Sequence, residues 1–171
     1  MRTRFIAAVA ALVVGLFVSA LHAETSTIAR AGNWEAFGGT TTKGRGVCGV
    51  SQTTGDGKYF GVKWFSGYDT FTLQLGWKEW NIEDGSKQDI VMIMDSNPPW
   101  RATATGFHFE DKDAGLEFTI NKSEIDNFTR EFRTSAALRM QYPGGNATDW
   151  VISLAGTGAV SDALQNCLRK L

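Results

Sequence analysis

Cys48 and Cys167 are the only two cysteines of the chain, and they stand near opposite ends of the part of it expected to fold. Bonded to one another they would close a loop of about 120 residues, which in the chain-entropy account restricts the unfolded chain by up to about 5 kcal/mol. That is comparable with the whole stability of a small domain. Such a staple obliges the fold to bring its first and last structured segments side by side. Two separate free thiols, or one reactive thiol, are the alternatives. Neither cysteine lies in a Cys-x-x-Cys pair or has a suitably placed histidine, and an even count in an exported chain reads as a disulfide.

Export is written at the N-terminus. Met1–Arg4 carries two arginines, and the run from Phe5 to Leu21 has no charge and is rich in Ala, Val, Leu and Phe. Leu21-His22-Ala23 then precedes Glu24 with a small residue where a signal peptidase cuts. The expected organisation is a signal peptide over 1–23, a flexible lead-in over 24–32 and a single β-rich domain over 33–171. A retained anchor is the alternative, since the apolar run approaches the lower limit for spanning a bilayer. The short, simple leader is of a bacterial kind, so a periplasmic or secreted location is expected. Removing Arg2 and Arg4 leaves 15 basic against 18 acidic residues, a net charge near −3. That balance argues against nucleic acid and against an anionic membrane surface as the main partner, and no stable membrane insertion is expected after cleavage.

The mature part alternates short apolar runs with glycine-rich turns. Phe71, Leu73 and Leu75 alternate with Thr72, Gln74 and Gly76, the period of a half-buried strand. Strands are also expected at 34–37, 47–52, 59–65, 90–94, 100–109, 116–120, 137–142 and 149–154, with 77–82 continuing the 71–76 strand past a bulge. Ala102, Ala104 and Gly106 share one face of the 100–109 strand, which pairs with 116–120 as a hairpin. Gly38–Gly46 is read as a glycine-rich surface loop. Ser123 as N-cap, the early acids Glu124 and Asp126, and the pair Phe128/Phe132 predict a short helix over 124–134. Val160, Ala163, Leu164, Cys167, Leu168 and Leu171 form one apolar stripe of a closing amphipathic helix. Eight or nine strands without strand–helix–strand alternation predict a mainly β fold, an antiparallel β-sandwich or a partly open barrel.

Catalytic chemistry has few footholds. After loss of His22 the only histidine is His108, inside a strand between Phe107 and Phe109, with no nucleophile-elbow motif to accompany it. With the cysteines bridged, zinc lacks ligands, and neither a metal nor a cofactor is expected. Asp111, Asp113 and Glu117 resemble a calcium-binding turn but fall short of a complete loop. Glu79, Glu83 and Asp84 read as surface acids. Gly38–Gly46 lacks the phosphate-loop pattern, and Asn127-Phe128-Thr129 and Asn146-Ala147-Thr148 match the glycosylation sequon only by coincidence in a bacterial chain. Trp34, Trp64, Trp77, Trp80, Trp100 and Trp150 cannot all be central in a core this small, and Pro98-Pro99-Trp100 reads as a loop presenting an aromatic to a protein partner.

The opening Gly32-Asn33-Trp34-Glu35, the early Cys48, and the ending from Asp149-Trp150-Val151-Ile152-Ser153-Leu154-Ala155-Gly156 to Ala163 resemble, in outline, the invasion-associated locus B family of small exported alphaproteobacterial proteins. The chain departs from that pattern in having just two cysteines and a long Gly/Thr loop before the first. The resemblance implies a non-enzymatic periplasmic or surface protein connected with the envelope or with host-cell association, and carries over no catalytic residue. The expected function is thus an exported binding protein. The alternative is an inhibitor or immunity-like protein that inserts the Pro98–Trp100 loop or the Gly38–Gly46 loop into a hydrolase.

Overall fold

The computed structural model describes residues 24–109, 113–145 and 147–171; the expected signal peptide, 1–23, lies outside them. Ten strands form one antiparallel sheet: β1 (Glu24–Ala31), β2 (Trp34–Thr40), β3 (Gly46–Thr53), β4 (Tyr59–Phe65), β5 (Thr70–Gly76), β6 (Lys87–Met94), β7 (Trp100–His108), β8 (Ala114–Asn121), β9 (Ala137–Gln141) and β10 (Trp150–Ser153). Their spatial order is β1-β2-β3-β4-β5-β8-β7-β6-β9-β10. Two helices complete the fold, α1 (Ile125–Thr134) and α2 (Thr157–Leu168). The fold is mainly β, as expected, and takes the open-barrel form: a single sheet that does not close.

The register places one continuous ladder of apolar side chains on the inner face. Phe71, Leu73 and Leu75 of β5 lie opposite Ile120, Phe118 and Leu116 of β8 on one side and Trp64, Val62 and Phe60 of β4 on the other. Across the sheet, Met140 of β9 pairs with both Met92 of β6 and Trp150 of β10. Because side chains alternate between faces, a one-residue slip anywhere would turn this ladder to solvent, so burial itself fixes the register. Phe128 and Phe132 of α1 stack on each other, and Phe132 meets Trp34 edge-to-face at 5.0 Å, so the helix caps the same core.

The staple is formed. Cys48 and Cys167 are bonded with their Cα atoms 6.0 Å apart, fixing α2 to β2 and β3. The chain reaches that position through Gly156, whose φ of 102° favours glycine. A β-carbon there would lie 2.3 Å from the carbonyl oxygen of Ala31. At the same end Trp34 donates its Nε1–H to Ser153 O at 2.9 Å, tying β2 to the end of β10.

Several expectations are corrected. Residues 24–31 are not a flexible lead-in but β1, paired with β2 from Glu24↔Thr40 to Ala31↔Trp34, so the β domain starts before residue 33 and the strands number ten. Gly38 and Gly39 belong to β2 rather than to a loop; the turn is confined to 41–45, closed by Thr41 N–H to Arg45 O at 2.8 Å. The 71–76 strand does not continue through 77–82, which turns back with Trp80 N–H bonded to Trp77 O at 2.9 Å. Ser123 lies in a single 3-10 turn and makes no capping bond.

Candidate functional site

The turn that follows β5 builds the most distinctive surface of the molecule. Trp77 is anchored by its Nε1–H to Asp56 O at 3.1 Å. Trp80, three residues on, stacks against Trp150 of β10 with ring centres 4.7 Å apart and planes 16° from parallel. Tyr142, just past β9, meets Trp80 edge-on at 5.8 Å and Trp150 at 6.0 Å. Trp77 closes the group with its ring 6.4 Å from that of Trp150 and almost perpendicular to it. Such offset and edge-to-face pairs each add roughly 0.5–1.5 kcal/mol beyond area burial. The Lys58 ammonium lies 4.9 Å from the Trp77 ring centre. It also bonds Asp56 at 2.6 Å; that contact first, and the Thr54 hydroxyl second, hold the Asp56 carboxyl down at about 2.

Beside this cluster runs a cleft of about 650 Å³, walled by Trp77, Trp80 and Tyr142 and rimmed by Glu79, Asn81 and Lys87. Its outer wall is held in place by Gly106 of β7, which exchanges backbone hydrogen bonds with Gly85 and Ser86 at 2.8 Å each. Only glycine fits at 106, since a β-carbon would lie 2.3 Å from Glu83 O. Two polar atoms of the inner wall, Trp80 Nε1 and Tyr142 Oη, are buried with no hydrogen-bond partner among the described residues. Tyr142 is only 5% exposed. Its burial, with the Asp149 carboxylate adding to it, pushes the hydroxyl well above the usual phenol range. A buried polar group without a partner costs about 1–3 kcal/mol, so these two atoms mark a local cost in the packing behind the cleft.

The Pro98-Pro99-Trp100 segment is built differently from a loop that offers an aromatic. Pro98 and Pro99 are exposed, but Trp100 is half-buried; it donates its Nε1–H to the buried Glu131 carboxylate at 2.7 Å and packs edge-on against Phe128. Its ring anchors α1. The loop before it is fixed by Asp95, whose carboxylate accepts the N–H groups of Ala136 and Ala137 at 2.7 and 3.0 Å.

The remaining sequence candidates scatter. His108 is exposed and pairs through Nδ1 with Asp84 at 2.7 Å, while Glu79 and Glu83 are exposed. Asp111 lies outside the described residues, as does Asn146, and Glu117 accepts from Gln74 Nε2 at 3.2 Å. Among the described residues no three His, Cys, Asp or Glu side chains gather to hold a metal ion, and no helix is long and apolar enough to cross a membrane. The cleft was missed because 77–82 reads as more strand. The i, i+3 spacing of Trp77 and Trp80 across the polar Lys78-Glu79 is the local signal that could have marked a turn.

The fold thus defines a class: an open, curled antiparallel sheet whose terminal helix is stapled back onto its first strands. A solved structure of the same kind is the crystal structure of invasion associated protein B from Bartonella henselae. It is similar with a TM-score of 0.55 at 14% sequence identity, over 84% of this chain and 98% of that one. The likeness is one of fold. No protein-family model and no curated protein sequence matches the chain.

Proposed function

We propose that this chain is an exported, non-catalytic binding protein of the bacterial envelope or cell surface, with a role akin to that implied by the name of its Bartonella fold neighbour. The observation that carries the binding reading is the cleft beside Trp80, with its aromatic walls and mixed polar rim. This combination of apolar surface with a few convergent polar groups is the usual make-up of a ligand site. Export is supported by the Cys48–Cys167 bridge, because such bonds persist in oxidising compartments, and by the leader composition of residues 1–23.

The test is fractionation of cells of the source organism with an antibody to the folded domain, followed by N-terminal sequencing and thiol alkylation. The reading expects a mature chain beginning at Glu24, outside the cytoplasm, with both cysteines protected from alkylation until reduced. An uncleaved cytoplasmic chain with two reactive thiols would overturn it.

A further inference from the structure

We propose that the cleft beside Trp80 binds a neutral oligosaccharide. This rests on reading the chain as a binding protein and names the chemistry of what it binds. A pyranose ring presents a flat patch of C–H groups on its faces and hydroxyls around its edge. The first wants an aromatic ring and the second wants donors and acceptors mixed together.

The cleft offers both in that arrangement. Trp80 is half-buried and lines the cleft, its ring braced by the stack on Trp150. Trp77 extends the aromatic wall, held rigidly by its bond to Asp56 O and by the Lys58 ammonium near its ring. Rigid aromatics fixed before binding limit the ordering cost of association.

The polar groups select against other ligand classes. Lys87 can only donate, Glu79 and Glu83 when ionised can only accept, and Asn81 and Gln88 can do both. A hydroxyl, which donates and accepts at once, can serve every one of them. A wholly apolar ligand would strip water from these polar groups and offer nothing in return. Glu79 and Glu83 outnumber Lys87 among the charged residues that line the cleft, which disfavours an anionic ligand. The volume of about 650 Å³ falls within the ~300–1,000 Å³ of small-molecule sites.

The experiment is a titration of the mature, disulfide-bonded protein with chitotriose, cellotriose and maltotriose, followed by tryptophan fluorescence and calorimetry. At least one sugar should give saturable binding with a Kd at or below ~1 mM, and Trp80→Ala should weaken it by roughly ten-fold or more. Asn81→Ala is the sharper variant. It removes an exposed amide of the rim, so the melting temperature should hold while sugar affinity falls several-fold. No binding of any of the three at ~10 mM, or unchanged affinity in both variants, would overturn the inference. A correctly exported protein that binds none of these sugars would overturn this inference alone, since purified protein reports the cleft and cell fractionation reports the location.

Discussion

Gly38 faces the sulfur of Cys167 so closely that a β-carbon on residue 38 would lie 2.6 Å from it. Gly38 is also the register partner of Cys48, so the bridge crosses from β3 over a strand position that has to be bare. The backbone at 38 makes no special demand; space does. Gly38→Ala should therefore cost about 1–3 kcal/mol, the range of overpacking a tight site. Thermal unfolding in a Cys48→Ala/Cys167→Ala background checks the cause: the same Gly38→Ala change should there lose most of its effect, and an undiminished cost would place the strain elsewhere.

Removing the bridge itself should lower stability by about 2–5 kcal/mol, the usual range for a native disulfide in a small domain. Cys48→Ser and Cys167→Ser should match each other, and the double variant should be little worse than either, because all three lose one and the same bond. Denaturant melts of the three variants give the comparison. Clearly unequal single variants would mean that the two positions act separately.

Trp100→Phe should destabilise by about 1–3 kcal/mol, because the Glu131 carboxylate, 5% exposed, loses the donor it faces at 2.7 Å. Glu131→Gln keeps an acceptor for the indole N–H and should cost less. A double-mutant cycle with urea melts checks the coupling: the combined loss should fall short of the sum of the singles.

Alkaline pH should weaken the fold through its buried phenols. Burial pushes the Tyr59 hydroxyl up to about 12 from an ordinary 10.0, with the Ser51 hydrogen bond opposing and the Glu35 charge adding; Tyr142 moves in the same direction. The unfolded chain releases these protons near pH 10 and the folded chain holds them. The stabilisation is fully present below pH 10 and is lost as the pH rises through about 12. Tyrosinate absorbance against pH, run beside circular dichroism, should show these two residues ionising only well above pH 10 or together with unfolding.

Much of this architecture can be read locally. The alternation of Phe71, Leu73 and Leu75, the 100–109/116–120 hairpin and the stripe from Val160 to Leu171 each carry their own period, and each forms where that period puts it, save that the helix ends at Leu168 and leaves Leu171 beyond it. Glu24–Ala31 carries no such signal. It is an edge strand exposed along most of its length, with a register shift between Thr27 and Ala29, so only its partner β2 makes it a strand. The setting of Trp100 is illegible for a related reason: the group that holds its indole, Glu131, lies 31 residues away on a helix. The cleft is harder still, since Trp80 meets Trp150 only through the non-sequential order β7-β6-β9-β10. The pair of cysteines, by contrast, announces its long-range contact through count and compartment alone.

A separation of 119 residues also sets a clock. A chain that emerges N-terminus first delivers Cys48 well before Cys167. Helix α2, which carries it, must then find the strands made first. The bridge therefore cannot form until α2 has been made, and a copy that stops before residue 167 goes without it. The sulfur–sulfur bond doubles as a receipt for synthesis through α2.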